Sequence, residues 1–235
     1  MHRFFIESPD IKDNVIEITD VRIVFQLGRV LRMRRGEKIS IFDIKGNEFS
    51  IELLDLDKRR ILGNILEMVK KNTESEIHVS IYQGIPKKPA LFELVVQKAT
   101  EIGVTEIYPL ITKRTEKQRL AKFDRVNAIA MEAVEQSGRT KIPVIHHPIN
   151  FEDAIKNSKN AYVAFEYEDK KMLSDFLPEI KKSKRADIFI GPEGGFEQTE
   201  IDFAYQNNAK MFSFGPRILR TETAAISAAS IILLS

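Results

Sequence analysis

Two glycine-containing turns follow predicted β-strands late in the sequence, FIGPEGGF at 189–196 and FGPRILRTETAA at 214–225. Glycine pairs cost backbone entropy on folding, so a turn that contains them usually has a geometric reason. In open α/β sheets, ligands bind beyond the carboxyl ends of the strands. Two interpretations are open. The turns either offer backbone N–H and C=O groups to a flat heterocycle, such as an adenosine moiety, or are tight βα turns without a ligand.

Several other chemistries lack their motifs. The sequence has neither the Gly-x-x-x-x-Gly-Lys-Ser/Thr phosphate loop nor the Gly-x-Gly-x-x-Gly dinucleotide fingerprint. His146 and His147 are adjacent, and neighbouring side chains in a strand point to opposite faces, so we expect no metal site. Ser213 lies in MFSFG rather than in a nucleophile elbow, which gives serine hydrolysis no support. The absence of cysteine excludes disulfides and thiolate metal sites, and it fits a reducing compartment.

A net charge of +2 conceals a local concentration of basic residues. Between positions 22 and 38 the one acidic residue is Glu37, and the basic residues are Arg22, Arg29, Arg32, Arg34, Arg35 and Lys38. Arginine suits bidentate contacts with phosphate better than lysine does. The segment is therefore a candidate basic surface, and a solvated helix face is the alternative.

The elements of the first 70 residues are short strands. KISIFDIKGNEFSIELLDL alternates apolar and polar residues on either side of Lys45-Gly46-Asn47, which indicates a hairpin, and RRILGNILEMV predicts a further strand. VRIVFQLGRVLRM is the one predicted helical piece. We expect residues 1–70 to form a small antiparallel β-barrel domain.

From residue 71 to residue 235, strands alternate with helices. The predicted strands are IHVSIYQGI, VTEIYPLI, AYVAFEY, ADIFI and KMFSF. The predicted helices are 89–103 (from Pro89 to a stop at Gly103), 121–138, 172–182, 199–207 and the final helix. This alternation predicts an α/β domain with a parallel sheet covered on both faces. The start of the sequence has no hydrophobic signal core and no apolar run reaches membrane-spanning length, so we expect a cytoplasmic protein without a membrane partner.

The final helix, TETAAISAASIILLS, is small or apolar nearly all round. Such a helix does not lie on a wet surface. It is buried either inside one chain or at a subunit interface, and we favour the interface.

Five segments occur in the order and spacing of one known family: QKATEIGV, PLITKR, EAVEQSGR, IGPEGGF and FGPRILRTETA. On these segments the chain resembles the RsmE-type 16S rRNA uridine-N3 methyltransferases of the SPOUT superfamily, over nearly its whole length. The resemblance implies an N-terminal PUA-like barrel for RNA binding and a C-terminal methyltransferase domain with a trefoil knot. It also implies S-adenosylmethionine as cofactor, 16S rRNA in the small ribosomal subunit as substrate, and a homodimer.

The resemblance also assigns candidate site residues. By that comparison the cofactor pocket consists of Ile190, Gly191, Pro192, Glu193, Gly194, Gly195, Phe214, Gly215, Ile218, Leu219, Arg220, Thr221 and Ala224. Candidate donors to the developing anion on the uracil are Arg220 and Arg217, and a phosphate contact or a knot-stabilising ion pair is their alternative role. Glu193 is a candidate acceptor of the N3 proton, and a structural role in bonding loop amides is its alternative. The candidate contacts to rRNA phosphates are Arg3, Arg29, Arg32, Arg34, Arg35, Lys98, Arg114 and Arg139.

Two departures from the family pattern lie outside the cofactor loops. Phe25-Gln26 replaces a frequent His pair, and IPKKPAL replaces a common Gly-Asp-Lys/Arg type of turn, leaving Lys87 and Lys88 as substitutes. Two other functions stay open at this point. They are a non-catalytic ribosome-binding factor with the same fold, and a SPOUT methyltransferase that acts on another RNA site.

Overall fold

The structure is a computed structural model that describes residues 2–70, 72–116, 119–120, 122–168 and 170–235. The chain divides into two compact units, the first made of residues 1–74 and 134–141, and the second of residues 75–133 and 142–235. Residue 71, where the predicted boundary falls, lies outside the described residues. The division differs from the predicted one in assigning residues 134–141 to the first unit.

The first unit contains a six-stranded sheet. Its strands are β1 (Arg3–Phe5), β2 (Asp10–Lys12), β3 (Val15–Ile18), β4 (Lys38–Phe42), β5 (Asn47–Leu56) and β6 (Ile61–Lys70), in the order β1-β4-β5-β6-β3-β2. Strands β4 and β5 form the predicted hairpin. The Asp43 carboxylate accepts hydrogen bonds from the backbone N–H groups of Lys45 and Asn47, and Gly46 has a φ of 79°. Asp and Gly thus provide the turn chemistry that the hairpin needs.

One strand pairing in this sheet differs from the prediction. Four pairings are antiparallel, as expected, but β1 pairs with β4 in parallel. A parallel pair needs a crossover connection of a dozen or more residues, and the chain between β1 and β4 is long enough to provide one. Local turn signals do not reveal such a long-range pairing.

The predicted helical piece of the first unit is present. It consists of helix α1 (Val21–Phe25), continued by a π-helical turn (Gln26–Val30). The Asp20 side chain accepts hydrogen bonds from the N–H groups of Arg22 and Ile23, which is a typical N-cap. Ile23, Val24 and Leu27 are buried in the core of the unit, so the segment presents its other side to solvent.

The second unit contains a parallel sheet, as the sequence predicts. Its strands are β7 (His78–Gly84), β8 (Glu106–Ile111), β9 (Val144–Ile145), β10 (Ile149–Asn150), β11 (Ala161–Ala164), β12 (Arg185–Ile190) and β13 (Lys210–Phe212). The order is β10-β8-β7-β12-β11-β13, with β9 also pairing with β8, and the pairings are parallel. Parallel pairing places the carboxyl ends of neighbouring strands at one edge of the sheet.

The predicted helices are present to within a few residues, and the short helix Phe151–Asn157 was not predicted. The helices are α2 (Pro89–Ile102), α3 (Phe123–Ser137), α4 (Phe151–Asn157), α5 (Leu177–Ser183), α6 (Gln198–Gln206) and α7 (Thr221–Leu233), and a 3-10 turn (Leu173–Phe176) precedes α5. Residue 121, the first of the predicted helix 121–138, lies outside the described residues. Helix α2 starts at Pro89, and Gly103 follows it with a φ of 116°, in the left-handed region that favours glycine. Within the described residues, no helix is both long and apolar enough to span a bilayer.

Helix α7 is buried on one side within the chain. Its residues Ala224, Ala225, Ala228, Ala229 and Ile232 are buried, and the helix packs on α2, β7 and β12. Small side chains permit this close approach. The interior of one chain therefore accounts for one face of the helix, and the opposite face is only partly covered.

Candidate functional site

A cavity of about 1080 Å³ lies at the carboxyl ends of β7, β11, β12 and β13. All thirteen predicted cofactor-binding residues line it, together with Arg217. Other lining residues come from segments that the sequence did not single out, including Leu91, Glu166 and Met172. The fold thus brings the two glycine turns together around one space at the ligand-binding edge of the sheet.

Glycines in and beside the two turns are explained by contacts within the chain or by their backbone angles. A Cβ atom on Gly191 would lie 3.0 Å from the backbone of Gly195, and one on Gly84 would collide with Pro192. Gly195 and Gly215 have φ values of 68° and 91°, which favour glycine. Contacts within the chain and backbone angles therefore account for glycine at these positions, and the cofactor contacts of the first turn stay a prediction.

A chain of hydrogen bonds joins the two turns to strand β7. The Thr221 hydroxyl donates to the Gly191 carbonyl oxygen over 2.5 Å and accepts from Gln83 Nε2 over 2.6 Å. Gln83 also donates to the Gly84 carbonyl oxygen over 3.0 Å. The Thr221 hydroxyl therefore holds the two turns together. Its contact with the cofactor stays a prediction. Sequence reasoning missed Gln83, although a polar residue between apolar strand residues and a glycine was a signal.

Two further contacts hold the first turn from outside. The Arg114 guanidinium donates to the Gly194 carbonyl oxygen over 2.5 Å, and the Glu193 carboxylate accepts from the Lys87 backbone N–H over 3.1 Å. The Lys87 ammonium lies 2.8 Å from the Glu116 carboxylate, and this hydrogen bond raises the pKa of Lys87. This contact of Glu193 with a backbone N–H is the structural role that the sequence left open as the alternative to accepting the proton. The proton-accepting role stays a prediction.

The second turn offers the backbone groups that a ligand would need. From residue 214 to residue 219, no backbone N–H or C=O group forms a hydrogen bond with the described residues. Ile190, Leu219 and Ala224 supply apolar surface to the same cavity. Apolar walls with convergent polar groups are typical of cofactor pockets, so this chemistry fits an adenosine-containing cofactor.

The two candidate arginines lie at the rim of the cavity. Arg217 and Arg220 are both exposed. Neither forms an ion pair with the described residues, so both guanidinium groups are available to an anionic partner.

Comparison with known proteins identifies the family. The family model "RNA methyltransferase domain" matches residues 73–233, and "RNA methyltransferase PUA domain" matches residues 27–66. The chain is 31% identical to ribosomal RNA small subunit methyltransferase E of Bacillus subtilis, covering 99% of this chain and 96% of that protein. The chain belongs to the ribosomal RNA small subunit methyltransferase E family.

Two further relatives agree with this membership. The Rickettsia conorii ribosomal RNA small subunit methyltransferase E is 31% identical over 97% of this chain and 93% of its own length. The crystal structure of the Neisseria gonorrhoeae enzyme of this family, bound to S-adenosyl methionine, is 29% identical with a TM-score of 0.86, covering 98% of this chain and 95% of that one. The resemblance inferred from the sequence is thereby confirmed.

In this family member, the candidate RNA contacts fall into two groups. Arg29, Arg32, Arg34 and Arg35 are exposed in the first unit, as phosphate contacts must be. In the second unit, Arg114 contacts Gly194, and Lys98 lies 2.9 Å from Glu101.

Arg3 and Arg139 are corrections to the predicted RNA contacts. Arg139 is 4% exposed, and its guanidinium lies 2.6 Å from the Glu74 carboxylate. Arg3 donates to the carbonyl oxygens of Val134 and Arg139 and lies over the Phe42 ring. Arg139 is buried and Arg3 is partly buried, and both hold the first unit together, so we do not carry them forward as phosphate contacts.

His146 and His147, which are adjacent in the sequence, have separate surroundings. His146 stacks on Tyr108 with ring centres 3.8 Å apart, and His147 stacks on Phe123 at 4.9 Å. Among the described residues, no group of three or more His, Cys, Asp or Glu is arranged to hold a metal ion.

Proposed function

We propose that this chain transfers a methyl group from S-adenosylmethionine to N3 of a specific uridine in the 16S rRNA of the small ribosomal subunit. Membership of the methyltransferase E family supports the reaction class and the RNA substrate. The single structural observation that carries the proposal is the cavity at the carboxyl ends of the parallel strands, which both glycine turns line.

The residues of the cavity suit the cofactor. When bound, S-adenosylmethionine supplies an electrophilic methyl group on a sulfonium. The backbone of residues 214–219 would hold its polar groups, and Ile190, Leu219 and Ala224 would cover apolar surface and exclude water. The hydrogen bonds of Gln83 and Thr221 keep the two turns at a fixed separation. A fixed site reduces the entropy lost when two reactants meet, which supplies much of the rate.

The arginines at the rim would act on the uracil. Its N3 must lose a proton, and the resulting negative charge spreads over O2 and O4 of the ring. Arg220 or Arg217 would donate hydrogen bonds to these oxygens, since preorganised donors stabilise charge that develops in the transition state. Glu193 is the candidate acceptor of the proton.

Substitution of Arg220 tests this assignment. We expect Arg220→Ala to keep its affinity for S-adenosylmethionine in calorimetry and to lose about 10²–10³-fold in methylation of purified small subunits. Arg220→Lys keeps the charge but not the planar guanidinium, so its methylation activity should lie between that of the parent and that of Arg220→Ala. Unchanged turnover of Arg220→Ala would remove this residue from the mechanism, and the same measurements on Arg217→Ala would then decide between the two arginines.

Finer features of the architecture are part of the same proposal. We propose that residues 1–70 form a PUA-like barrel that binds RNA, that residues 71–235 form the SPOUT methyltransferase domain, and that segments 190–195 and 214–221 cross in a trefoil knot. The hydrogen bond from Thr221 to Gly191 supports close contact between these two segments. We also propose a homodimer, supported by the partly covered outer face of α7.

Two measurements separate this function from its alternatives. A non-catalytic ribosome-binding factor would show no heat of binding with S-adenosylmethionine. A methyltransferase for another RNA site would bind the cofactor, but it would restore a different methylated nucleotide when the purified protein is added to rRNA from a strain that lacks it. Mass mapping of that rRNA distinguishes the two sites.

A further inference from the structure

The helical segment of the first unit, residues 21–30, exposes an aromatic ring to solvent. Phe25 is 60% exposed, and Val21 and Val30 on the same segment are 82% and 61% exposed. The buried residues Ile23, Val24 and Leu27 account for the opposite side of the segment. Nothing in the fold of the unit therefore requires an aromatic side chain at position 25.

Gly28 on this segment is also unexplained by the fold. A Cβ atom at this position would meet no atom within 4 Å, and Gly28 is not among the glycines with positive φ. Glycine in a helix interior is less favourable than alanine by about 1 kcal/mol. Gly28 is not required by a turn or by close packing within the chain. Its lack of a side chain leaves the helix backbone uncovered on the exposed side. The π-helical turn that contains it is of a kind found frequently at functional sites.

The side-chain charges beside this segment that lack a hydrogen-bond or ion-pair partner among the described residues are positive. Arg29, Arg32, Arg34 and Arg35 are exposed and form no ion pairs with the residues that the structure describes. The carboxylates that contact this part of the chain are already used. Asp20 caps α1, Glu135 pairs with Arg22, and Glu37 accepts from the backbone N–H of Arg34. An exposed ring beside unpaired arginines is complementary to a ligand that has both a flat face and negative charge.

We propose that the surface formed by Phe25, Gly28, Arg29 and Arg32, here called the Phe25 surface, binds an unpaired nucleotide of the RNA substrate. The base stacks on the Phe25 ring, the sugar passes over the bare backbone at Gly28, and the flanking phosphates contact the arginines. Stacking on aromatic side chains together with a basic groove is the usual mode by which proteins hold single-stranded nucleic acid. The inference rests on the proposed function, and it names a site in the RNA substrate away from the methylated uridine.

Phe25 and Gly28 are tested with a short oligouridine as the unpaired probe and an RNA duplex as the paired probe. We expect Phe25→Ala to bind oligouridine about tenfold more weakly, Phe25→Trp to bind at least as well as the parent, and Phe25→Leu to resemble Phe25→Ala. Binding to the duplex should change little. Gly28→Ala should raise the melting temperature and yet weaken oligouridine binding, a combination that a purely structural glycine does not produce.

The salt dependence separates stacking from charge. Arg29→Ala should reduce the slope of log affinity against log salt by about one, whereas Phe25→Ala should leave the slope unchanged. All variants should bind S-adenosylmethionine with the affinity of the parent, since the cavity lies in the other unit.

The outcomes distinguish this proposal from the proposed function. If the parent binds oligouridine and Phe25→Ala binds equally well, the Phe25 surface is not a nucleotide site, and the proposed function is untouched. If Phe25→Ala instead abolishes self-association seen by sedimentation and leaves RNA binding unchanged, the surface is an interface between two copies and the proposal is wrong. If the parent methylates no rRNA but the Phe25 variants still lose oligouridine binding, the proposal survives the failure of the proposed function.

Discussion

At the scale of single residues, Thr221 shows how one hydroxyl joins three segments. It donates to Gly191, accepts from Gln83 and begins helix α7, so strand β7 and both turns depend on it. Thr221→Val keeps the shape but leaves the Gly191 carbonyl without its hydrogen bond and removes one of the two hydrogen bonds of the Gln83 amide. We expect a loss of about 1–3 kcal/mol in unfolding free energy, measured by urea denaturation, and about tenfold weaker binding of S-adenosylmethionine, measured by calorimetry.

The conservative variant Thr221→Ser is the control for this prediction. It keeps the hydroxyl and removes only a methyl group, so it should retain cofactor affinity close to that of the parent. If Val and Ser at position 221 bind the cofactor equally well, the hydrogen-bond chain has no part in shaping the site. A loss in Thr221→Ser alone would instead implicate the methyl group, which Thr221→Val keeps.

Residue types gave good guidance for the site and poor guidance for the arginines. The pattern of glycine turns after strands predicted which segments line the cavity, because the carboxyl ends of parallel strands share one edge. An arginine, in contrast, can satisfy its five donors with phosphates or with buried carboxylates and carbonyl oxygens. The sequence does not say which. Arg29 and Arg139 have the same chemistry, but one is exposed and the other is enclosed with Glu74.

At the scale of elements, the Glu74–Arg139 ion pair fixes the segment that follows α3. Burial alone would raise the pKa of Glu74, but the hydrogen bonds and charge of Arg139, with the backbone N–H groups of Thr140 and Lys141, lower it overall. A carboxyl whose folded-state pKa is lowered adds stability above its unfolded-state pKa, about 4.5. That stability is lost as the pH falls through the folded-state value.

Glu74→Gln tests this ion pair. Removal of the carboxylate takes the Glu74 charge away from the buried Arg139 guanidinium, and we expect a loss of about 3 kcal/mol in unfolding free energy near neutral pH. The difference between parent and variant should shrink as the pH is lowered below about 4. Urea denaturation across this range measures it. Glu76→Gln, which removes an exposed partner of Lys184, should change stability little, and an equal effect of both variants would contradict the prediction.

Short sequence signals predicted the ends of a helix and a hairpin turn correctly. Pro89 and Gly103 delimit α2, and the Lys45-Gly46-Asn47 turn gives the β4–β5 hairpin, because these residues restrict the backbone of their own segment. Contacts between distant parts of the chain determine two other features. These are the parallel pairing of β1 with β4 and the assignment of residues 134–141 to the first unit. No single segment carries information about such contacts, and a prediction from segments misses them.

At the scale of the whole molecule, the burial of tyrosine side chains affects the free energy of unfolding at alkaline pH. Burial is the main cause that raises the pKa of Tyr82 and of Tyr162 to about 12, from an ordinary value of 10. A raised folded-state pKa for a phenol gives stability that is fully present below pH 10 and is lost as the pH rises toward 12. Urea denaturation should therefore show a falling unfolding free energy across this window. Tyr82→Phe, which cannot ionise, should show a shallower fall, and an identical fall in both proteins would contradict this cause.

The outer face of α7 is the candidate dimer interface, and a substitution on it tests the oligomeric state. Its outer face contains Ile226, Ser227 and Ser230, which one chain covers only in part, and Leu234 follows at 70% exposure. In a dimer with two-fold symmetry the same face meets its own copy, so a single substitution acts twice. Ser227→Glu would bury two unpaired carboxylates, which is strongly unfavourable.

We therefore expect the parent to sediment as a dimer and Ser227→Glu as a monomer. The control Gln206→Glu, at an exposed position of α6, should remain dimeric. Circular dichroism should show that both variants are folded, since Ser227 is only half-buried and makes no side-chain hydrogen bond to the residues that the structure describes. The prediction is wrong if the parent sediments as a monomer or if Ser227→Glu stays dimeric. In either case the outer face of α7 is not the subunit interface.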